Sequence, residues 1–240
     1  MSRPPAEAAG RRSTGTGAVS PLRLTLLGVG AMNSPRFAPA GLLLRHGRHR
    51  IVFDGGPGAG PPVRPDAWLV TDEHAELRSE LRRMAAGHGL VPHAGDVTLG
   101  AGGAGGIEGT GEARGHAVVV RACPVVHTSH PAYGYRIECD GLLAVWAPEF
   151  MEFPRWAAGA DLLLAEASSW NRPIHFRGGA GGHASVRDVG AEAARHGVRR
   201  VVYAHIGRPC IRAMDAGLTP EVGEWGREGR TYTLRPRAVG

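Results

Sequence analysis

A chain of 240 residues, 42% of them hydrophobic, can bury one substantial core. Its 37 glycines and 18 prolines break it into short elements and argue against a helical bundle or a coiled coil. The formal charge of +6 is carried by arginine alone and lies at the front: Met1 to Arg50 holds eight arginines and one acid, Glu7, while the remaining 190 residues carry 20 basic and 21 acidic groups. With aromatic residues at 6%, this distribution argues against an extended groove that tracks phosphates and stacks bases.

Cys123, Cys139 and Cys210 are odd in number and form no CxxC pair, so neither a disulfide framework nor a cysteine zinc site is indicated. Arg11-Arg12 is followed by Ser13 to Ser20 where an export signal needs an apolar stretch, and no run reaches the membrane-spanning length of about 18 apolar residues. A soluble, cytoplasmic protein is expected.

Residues 1–20, rich in Pro, Ala, Gly, Ser and Arg, read as a disordered tail, and residues 21–240 as a single domain. Leu22 to Leu27 is the first strand, ended by the turn at Gly28-Val29-Gly30; Gly41 to Leu44 and Arg50 to Phe53 are the next two, joined around His46 and Gly47. Asp66 to Val70 is a short apolar strand running into a helix from Ala75 to Ala86, with Leu77, Leu81 and Met84 on one face. Residues 100–115 are a glycine-rich excursion. Further strands are expected at Val118 to Val120, Tyr133 to Glu138, Leu142 to Trp146 and Asp161 to Ala165, then a helix from Val186 to His196 and a buried strand from Arg200 to Tyr203 that leads into His205.

The chemistry-bearing residues gather where these elements end. Asp72, His74 and Glu76 stand where a buried strand has stopped and a helix begins, a place where side chains converge with free helical N–H groups. The plainer alternative is an Asp72 N-cap with acidic residues in the first turn. His127 follows Val125-Val126, Glu149 follows the Leu142 to Trp146 strand, and His205 closes Val201 to Ala204. Strand ends of an α/β sheet share an edge where ligands collect, and imidazoles with carboxylates suit zinc, manganese or iron.

Leu24 to Gly30 (LTLLGVG), Gly41 to Gly55 (GLLLRHGRHRIVFDG), Trp68 to Glu76 (WLVTDEHAE), His127 to Glu138 (HTSHPAYGYRIE), Asp161 to Glu166 (DLLLAE), Gly182 to Ser185 (GHAS) and Val201 to His205 (VVYAH) occur in the order found in metallo-β-lactamase-fold hydrolases. The set resembles ribonuclease Z and its phosphodiesterase relatives over about residues 22 to 212. The resemblance implies an α/β protein of four layers, an αβ/βα sandwich, with a cleft for one or two divalent ions, zinc, manganese or iron, and hydrolysis of a phosphodiester or other anionic ester by metal-activated water. The family's T-H-x-H-x-D-H motif falls on Thr71 to Leu77, so Asp72 replaces its first histidine, His74 keeps its second, Glu76 replaces its aspartate and Leu77 replaces its last histidine. The implied metal ligands are Asp72, His74, Glu76, His127, Glu149 and His205, with His130 close enough to compete with His127. His183 takes the place of a histidine that assists phosphodiester cleavage, and Glu76 is a second catalytic candidate. Ala147-Pro148-Glu149 replaces the common Gly-Asp and is similar to the pyrroloquinoline quinone biosynthesis branch, which keeps open an iron-dependent oxidative enzyme; the departures at Asp72 and Leu77 keep open a non-catalytic binding member.

A carboxylate in place of one imidazole, and the loss of another at Leu77, makes such a site harder and more negative, favouring manganese or iron. Asp54 is expected to brace a ligand by a hydrogen bond. Arg208 and Arg212 are candidates to hold an anionic substrate, with an Arg212–Asp215 ion pair as the alternative. The expected partners are a small anionic molecule or a nucleic-acid end, with a homodimer possible and no membrane.

Overall fold

The computed structural model describes residues 20–100, 117–178 and 180–236; most of the predicted tail and of the glycine-rich excursion lies outside them. In chain order the elements are β1 (Leu22–Gly28), β2 (Gly41–His46), β3 (His49–Asp54), β4 (Ala67–Leu69), α1 (Arg78–Ala86), β5 (Val97–Leu99), β6 (Val118–Val125), β7 (Ala132–Cys139) and β8 (Leu142–Ala147). There follow β9 (Leu162–Ala167), β10 (Ile174–His175), β11 (Gly182–His183), α2 (Val186–Arg195), β12 (Val201–Ile206), α3 (Arg208–Asp215), β13 (Glu224–Trp225) and β14 (Thr231–Leu234). They build one sheet in the order β14-β1-β2-β3-β4, a second in the order β13-β12-β9-β8-β7-β6-β5, and a small β10-β11 hairpin.

The alternation of side chains along each strand decides the layering. Leu42, Leu44, Ile51, Phe53 and Leu69 turn inward to the core shared with the second sheet. Their neighbours Leu43, Val52 and Trp68 turn outward and pack with Leu81 and Ala85 of α1. On the other side Val186, Val189 and Ala193 of α2 and Cys210 and Ile211 of α3 cover the second sheet. The result is helix, sheet, sheet, helix: the four-layer α/β sandwich that the motif order implied. Among the described residues no helix is long and apolar enough to cross a membrane.

Several strands run longer than their apolar cores suggest, because flanking residues continue the ladder. β6 reaches Val125 opposite Ala132, and β12 reaches Ile206. The helix expected from Ala75 starts at Arg78 instead. Asp72 explains the delay: its Oδ1 accepts from the backbone N–H of His74 at 2.7 Å, a turn that competes with helix formation. Asp72 is thus a turn-former rather than an N-cap, and Leu77 stands at the N-cap with no side-chain hydrogen bond. The short elements β5, β10, β11 and β13, and the terminal β14, carry too few apolar residues to stand out by period. α3 was hidden by its proline, which sits in the first turn where a missing N–H costs nothing.

The parallel strands β3 and β4 of one sheet and β8, β9 and β12 of the other end on one edge. The sheets are tied together there. Trp146 Nε1 donates to Asp54 Oδ2 at 2.7 Å, Tyr135 Oη donates to the Val70 carbonyl at 2.6 Å, and Ile206 N–H donates to the Val29 carbonyl at 2.6 Å.

Candidate metal centre

The edge carries two groups of polar side chains. In the first, His127, Glu149, Glu166, His183 and His205 converge. Glu149 Oε1 lies 2.6 Å from His205 Nε2, and its Oε2 lies 3.6 Å from His127 Nε2. His127 and His183 have ring centroids 4.8 Å apart, and His183 stacks on His205 at 5.6 Å. One donor from each of Glu166, His183 and His205 falls within 4.8 Å of the others.

Each imidazole has its Nδ1 engaged from behind. His127 Nδ1–H donates to the Gly182 carbonyl at 2.9 Å, His183 Nδ1–H to Glu166 Oε2 at 2.7 Å, and His205 Nδ1 meets Ser168 Oγ at 2.8 Å. An occupied Nδ1 fixes the ring and the tautomer, leaving Nε2 as the outward donor atom. Glu166 has no exposure and also accepts from the backbone N–H groups of Ser168 at 2.7 Å and Phe150 at 3.1 Å. Burial alone would raise its pKa, but His183 and His205 outweigh that and hold it well below the ordinary carboxylate range. Glu149 is pushed up by burial and pulled down further by His205, His127 and His183, to about 2. His205 is pushed down by burial and raised by Glu149 and Glu166, to about 10.

Local backbone aims these groups. His205 has φ 59° where the β12–β9 register shifts between Tyr203 and Ile206; a bulge of this kind re-aims a side chain, and a non-glycine residue in the left-handed region is kept only where its surroundings enforce it. Asp54 has φ 48°. Its Oδ1 accepts from Thr71 N at 2.7 Å and Thr71 Oγ1 at 3.0 Å. Burial raises its pKa to about 6 against those hydrogen bonds. The β10-β11 hairpin lays Phe176 against the rings of His127 and His183, with centroids at 5.5 and 5.3 Å.

The second group follows β4. Asp72 is buried, its Oδ2 lies 2.8 Å from His130 Nε2, and the exposed His74 faces the His130 ring at 4.9 Å. Among the described residues no hydrogen bond or ion pair links this group to the first, although Asp54 feels the charge of Glu149 and Thr71 lines the same pocket as Glu149, His205 and Leu77. The structure thus puts His127 with Glu149 and His205, and His130 with Asp72 and His74. Glu76 is exposed and joins neither group by hydrogen bond or ion pair. Arg208 and Arg212 are exposed on α3, and Asp215 pairs with Arg36 at 2.8 Å, not with Arg212 as the alternative reading had it.

Sequence reasoning gave no role to Glu166, Ser168 or Phe176. For Glu166 the signal was present: an acid inside the otherwise apolar run Leu162 to Ala167 must be paired when the strand is buried. Ser168 and Phe176 had none, because their roles depend on a bulge and a hairpin.

The donor set fits a divalent cation. Three imidazoles with engaged Nδ1 atoms and two ionised carboxylates match the preferences of zinc, manganese or iron, and the bond from His205 to Glu149 is one that a cation between them would replace. No protein-family model and no curated protein matches the sequence. Among solved structures, the metallo-β-lactamase fold protein YhfI from Bacillus subtilis is similar at TM-score 0.63 and 15% identity, covering 89% of this chain and 99% of its own. Human tRNase Z, short form, aligns at TM-score 0.60 and 14% identity over 89% of this chain and 99% of its own. Zn2+-bound PqqB from Methylobacterium extorquens aligns at TM-score 0.56 and 14% identity over 88% of this chain and 100% of its own. At these identities the likeness establishes architecture, and with the layers and topology above it shows that this chain has the metallo-β-lactamase fold.

Proposed function

We propose that the chain is a metal-dependent hydrolase of a phosphodiester or a similarly anionic ester, built around His127, Glu149, His183 and His205. The observation that carries this reading is that all three imidazoles have Nδ1 engaged and Nε2 turned outward, a preorganisation that core packing alone does not require. A divalent cation there supplies Lewis acidity toward water and the ester. His127, His205 and Glu149 hold it, with Asp72, His74 and His130 available to a second ion. His183 moves the proton: Glu166 orients its ring through Nδ1, so Nε2 is the atom that delivers a proton to the leaving oxygen. Phe176 shields His183 and His127 from bulk water. Arg208 and Arg212, exposed just after His205, offer guanidinium groups to the anionic part of a small substrate or a nucleic-acid end. The human tRNase Z among the similar structures supports the phosphodiester choice.

A second reading, an iron-dependent oxidative enzyme, draws on Asp72, His74 and His130, one carboxylate and two imidazoles, the ligand types of non-haem iron sites.

The test is metal analysis of protein reconstituted with zinc, manganese or iron, followed by turnover of a chromogenic phosphodiester. At least one ion per chain and metal-dependent hydrolysis, both lost in His205→Ala while circular dichroism is kept, is the expected result. A stoichiometry near zero with all three metals ends the proposal, and oxygen uptake that requires iron with no hydrolysis transfers it to the second reading.

A further inference from the structure

At the opposite edge of the sandwich a second cluster of ligating side chains joins the two sheets. His46 ends β2, Cys139 ends β7, and Asp140 starts the tight turn into β8. With strands rising about 3.3 Å per residue, the six residues of β2 and the eight of β7 separate this cluster from the cleft by roughly a strand's length. His46 is 6% exposed and Cys139 3%. The positive φ of Asp140 (52°) and Gly141 (75°) is that of a two-residue hairpin turn, and it brings the Asp140 carboxylate back over Cys139, Oδ2 to Sγ 3.5 Å.

His46 is the informative residue. Among the described residues its ring nitrogens have one polar neighbour, the Cys139 sulfur, at 3.7 Å from both Nδ1 and Nε2. A sulfur is a weak hydrogen-bond partner, so a buried imidazole here lacks the strong partners that such groups normally find. The donor atoms of the three residues lie within 4.8 Å of one another. Tetrahedral zinc with Zn–S near 2.3 Å and Zn–N or Zn–O near 2.0–2.1 Å requires S···N and S···O edges of about 3.5–3.6 Å, and the observed separations of 3.7 and 3.5 Å match them. Equal distances to both nitrogens place the sulfur on the plane that bisects the ring through Cε1. Neither nitrogen is aimed at the sulfur in this rotamer, so ligation requires a turn about the soft χ2 torsion.

We propose that His46, Cys139 and Asp140 form a zinc-type cation site, separate from the cleft, that clamps the β2–β3 hairpin of one sheet to the β7–β8 hairpin of the other. The fourth position falls to water, which reaches the site from the concavity lined by Val119, Glu138, Asp140 and Gly141. An ion bound here takes Cys139 as the thiolate and displaces its proton. The spacing of the cysteines could not announce it, because His46 and Cys139 are 93 residues apart and meet only through sheet packing.

Cobalt substitution separates this site from the cleft, whose proposed ligands include no sulfur. Metal-free full-length protein titrated with Co2+ is expected to show a near-ultraviolet thiolate-to-cobalt charge-transfer band that reaches one equivalent. The band is lost in Cys139→Ser and kept in Cys123→Ser and in His205→Ala. His46→Gln, which keeps the thiolate, is expected to weaken Co2+ binding at this band at least tenfold. Absence of the band from the wild-type protein overturns the proposal whether or not the variants fold, and so does a band that survives Cys139→Ser or disappears with Cys123→Ser.

Discussion

Glu166 Oε2 accepts from His183 Nδ1–H at 2.7 Å at a point where Glu166 has no contact with solvent. Its other oxygen accepts from Ser168 N and lies 3.7 Å from His205 Nδ1, so one buried carboxylate orients His183 and places its charge beside His205. Glu166→Gln preserves size but exchanges an acceptor oxygen for an NH2 group that must face either an imidazole N–H or a backbone N–H. The expected result is a loss of roughly 10²–10⁴ in turnover, the range associated with a positioned proton donor, and a destabilisation of about 2–4 kcal/mol for breaking a buried charged network. Initial rates on a chromogenic phosphodiester across pH, with urea unfolding alongside, measure both. Turnover within twofold of wild type would remove His183 from the proposed proton transfer.

The metal-free protein is expected to be most stable in mildly acid solution. Glu149, held at about 2 against an ordinary 4.5, contributes stability that is complete above pH 4.5 and is lost as pH falls toward 2. His205, raised from 6.5 to about 10, contributes stability that is complete below pH 6.5 and fades as pH rises through 10. Their contributions overlap fully between 4.5 and 6.5. Asp54, raised from 3.8 to about 6 by burial, works the other way and subtracts stability as pH climbs through that interval. Urea midpoints of metal-free wild type and His205→Gln, taken from pH 4 to pH 10, check the alkaline limb: the wild type declines above pH 6.5 and the variant declines less. Parallel limbs for the two proteins would show that the Glu149–His205 pair does not set the pH dependence.

What could be read beforehand divides along physical lines. The β1–β4 region was legible because its strands alternate or run apolar between turn residues, and Gly28, Gly47 and Gly55 mark their ends. His127, Glu149 and His205 were legible as strand-end residues. Their partners were not, because a contact such as Ser168 Oγ to His205 Nδ1 depends on a bulge whose register no periodicity encodes. The delayed start of α1 belongs to the same class: the sequence offered Asp72 as a ligand or a cap, whereas its Oδ1 makes a turn with His74 N–H and its Oδ2 meets His130.

Gly181 shows how tightly the hairpin behind His127 is fitted. It has φ +79°, and a Cβ there would lie 1.9 Å from the His127 carbonyl oxygen. Gly178, in the same loop, has φ +95° with no atom within 4 Å of a built Cβ. Gly178→Ala is therefore expected to cost only the backbone strain of about 1 kcal/mol, whereas Gly181→Ala adds a collision with backbone and is expected to cost about 2–4 kcal/mol. Because Gly182 receives the His127 Nδ1–H bond, the second substitution should also lower metal content. Chemical denaturation and metal analysis of both variants give the comparison, and equal effects would contradict the close approach.

The Asp72, His74 and His130 group decides how many ions the cleft takes. Asp72 is buried and spends one oxygen on His74 N–H and the other on His130 Nε2, so an ion bound there must compete with the second of these contacts. His74 is exposed and pays no comparable cost. A cation at Glu149 must likewise replace the His205 contact, but there the imidazoles of His127 and His205 are braced at Nδ1, so a second ion at Asp72, beside the exposed His74, is expected to bind more weakly. Titration with Mn2+ should resolve two affinities. His130→Ala, by freeing Asp72 Oδ2 but removing a ligand, and Asp72→Asn, by removing the charge, should both abolish the weaker step and leave the tighter one within about twofold. Glu76→Ala, which alters an exposed residue with no ion pair among the described residues, should change stability by less than about 0.5 kcal/mol. If Asp72→Asn instead removes the tighter ion, the two groups act as one centre, and the ligand assignment at Glu149 must be redrawn to include Asp72.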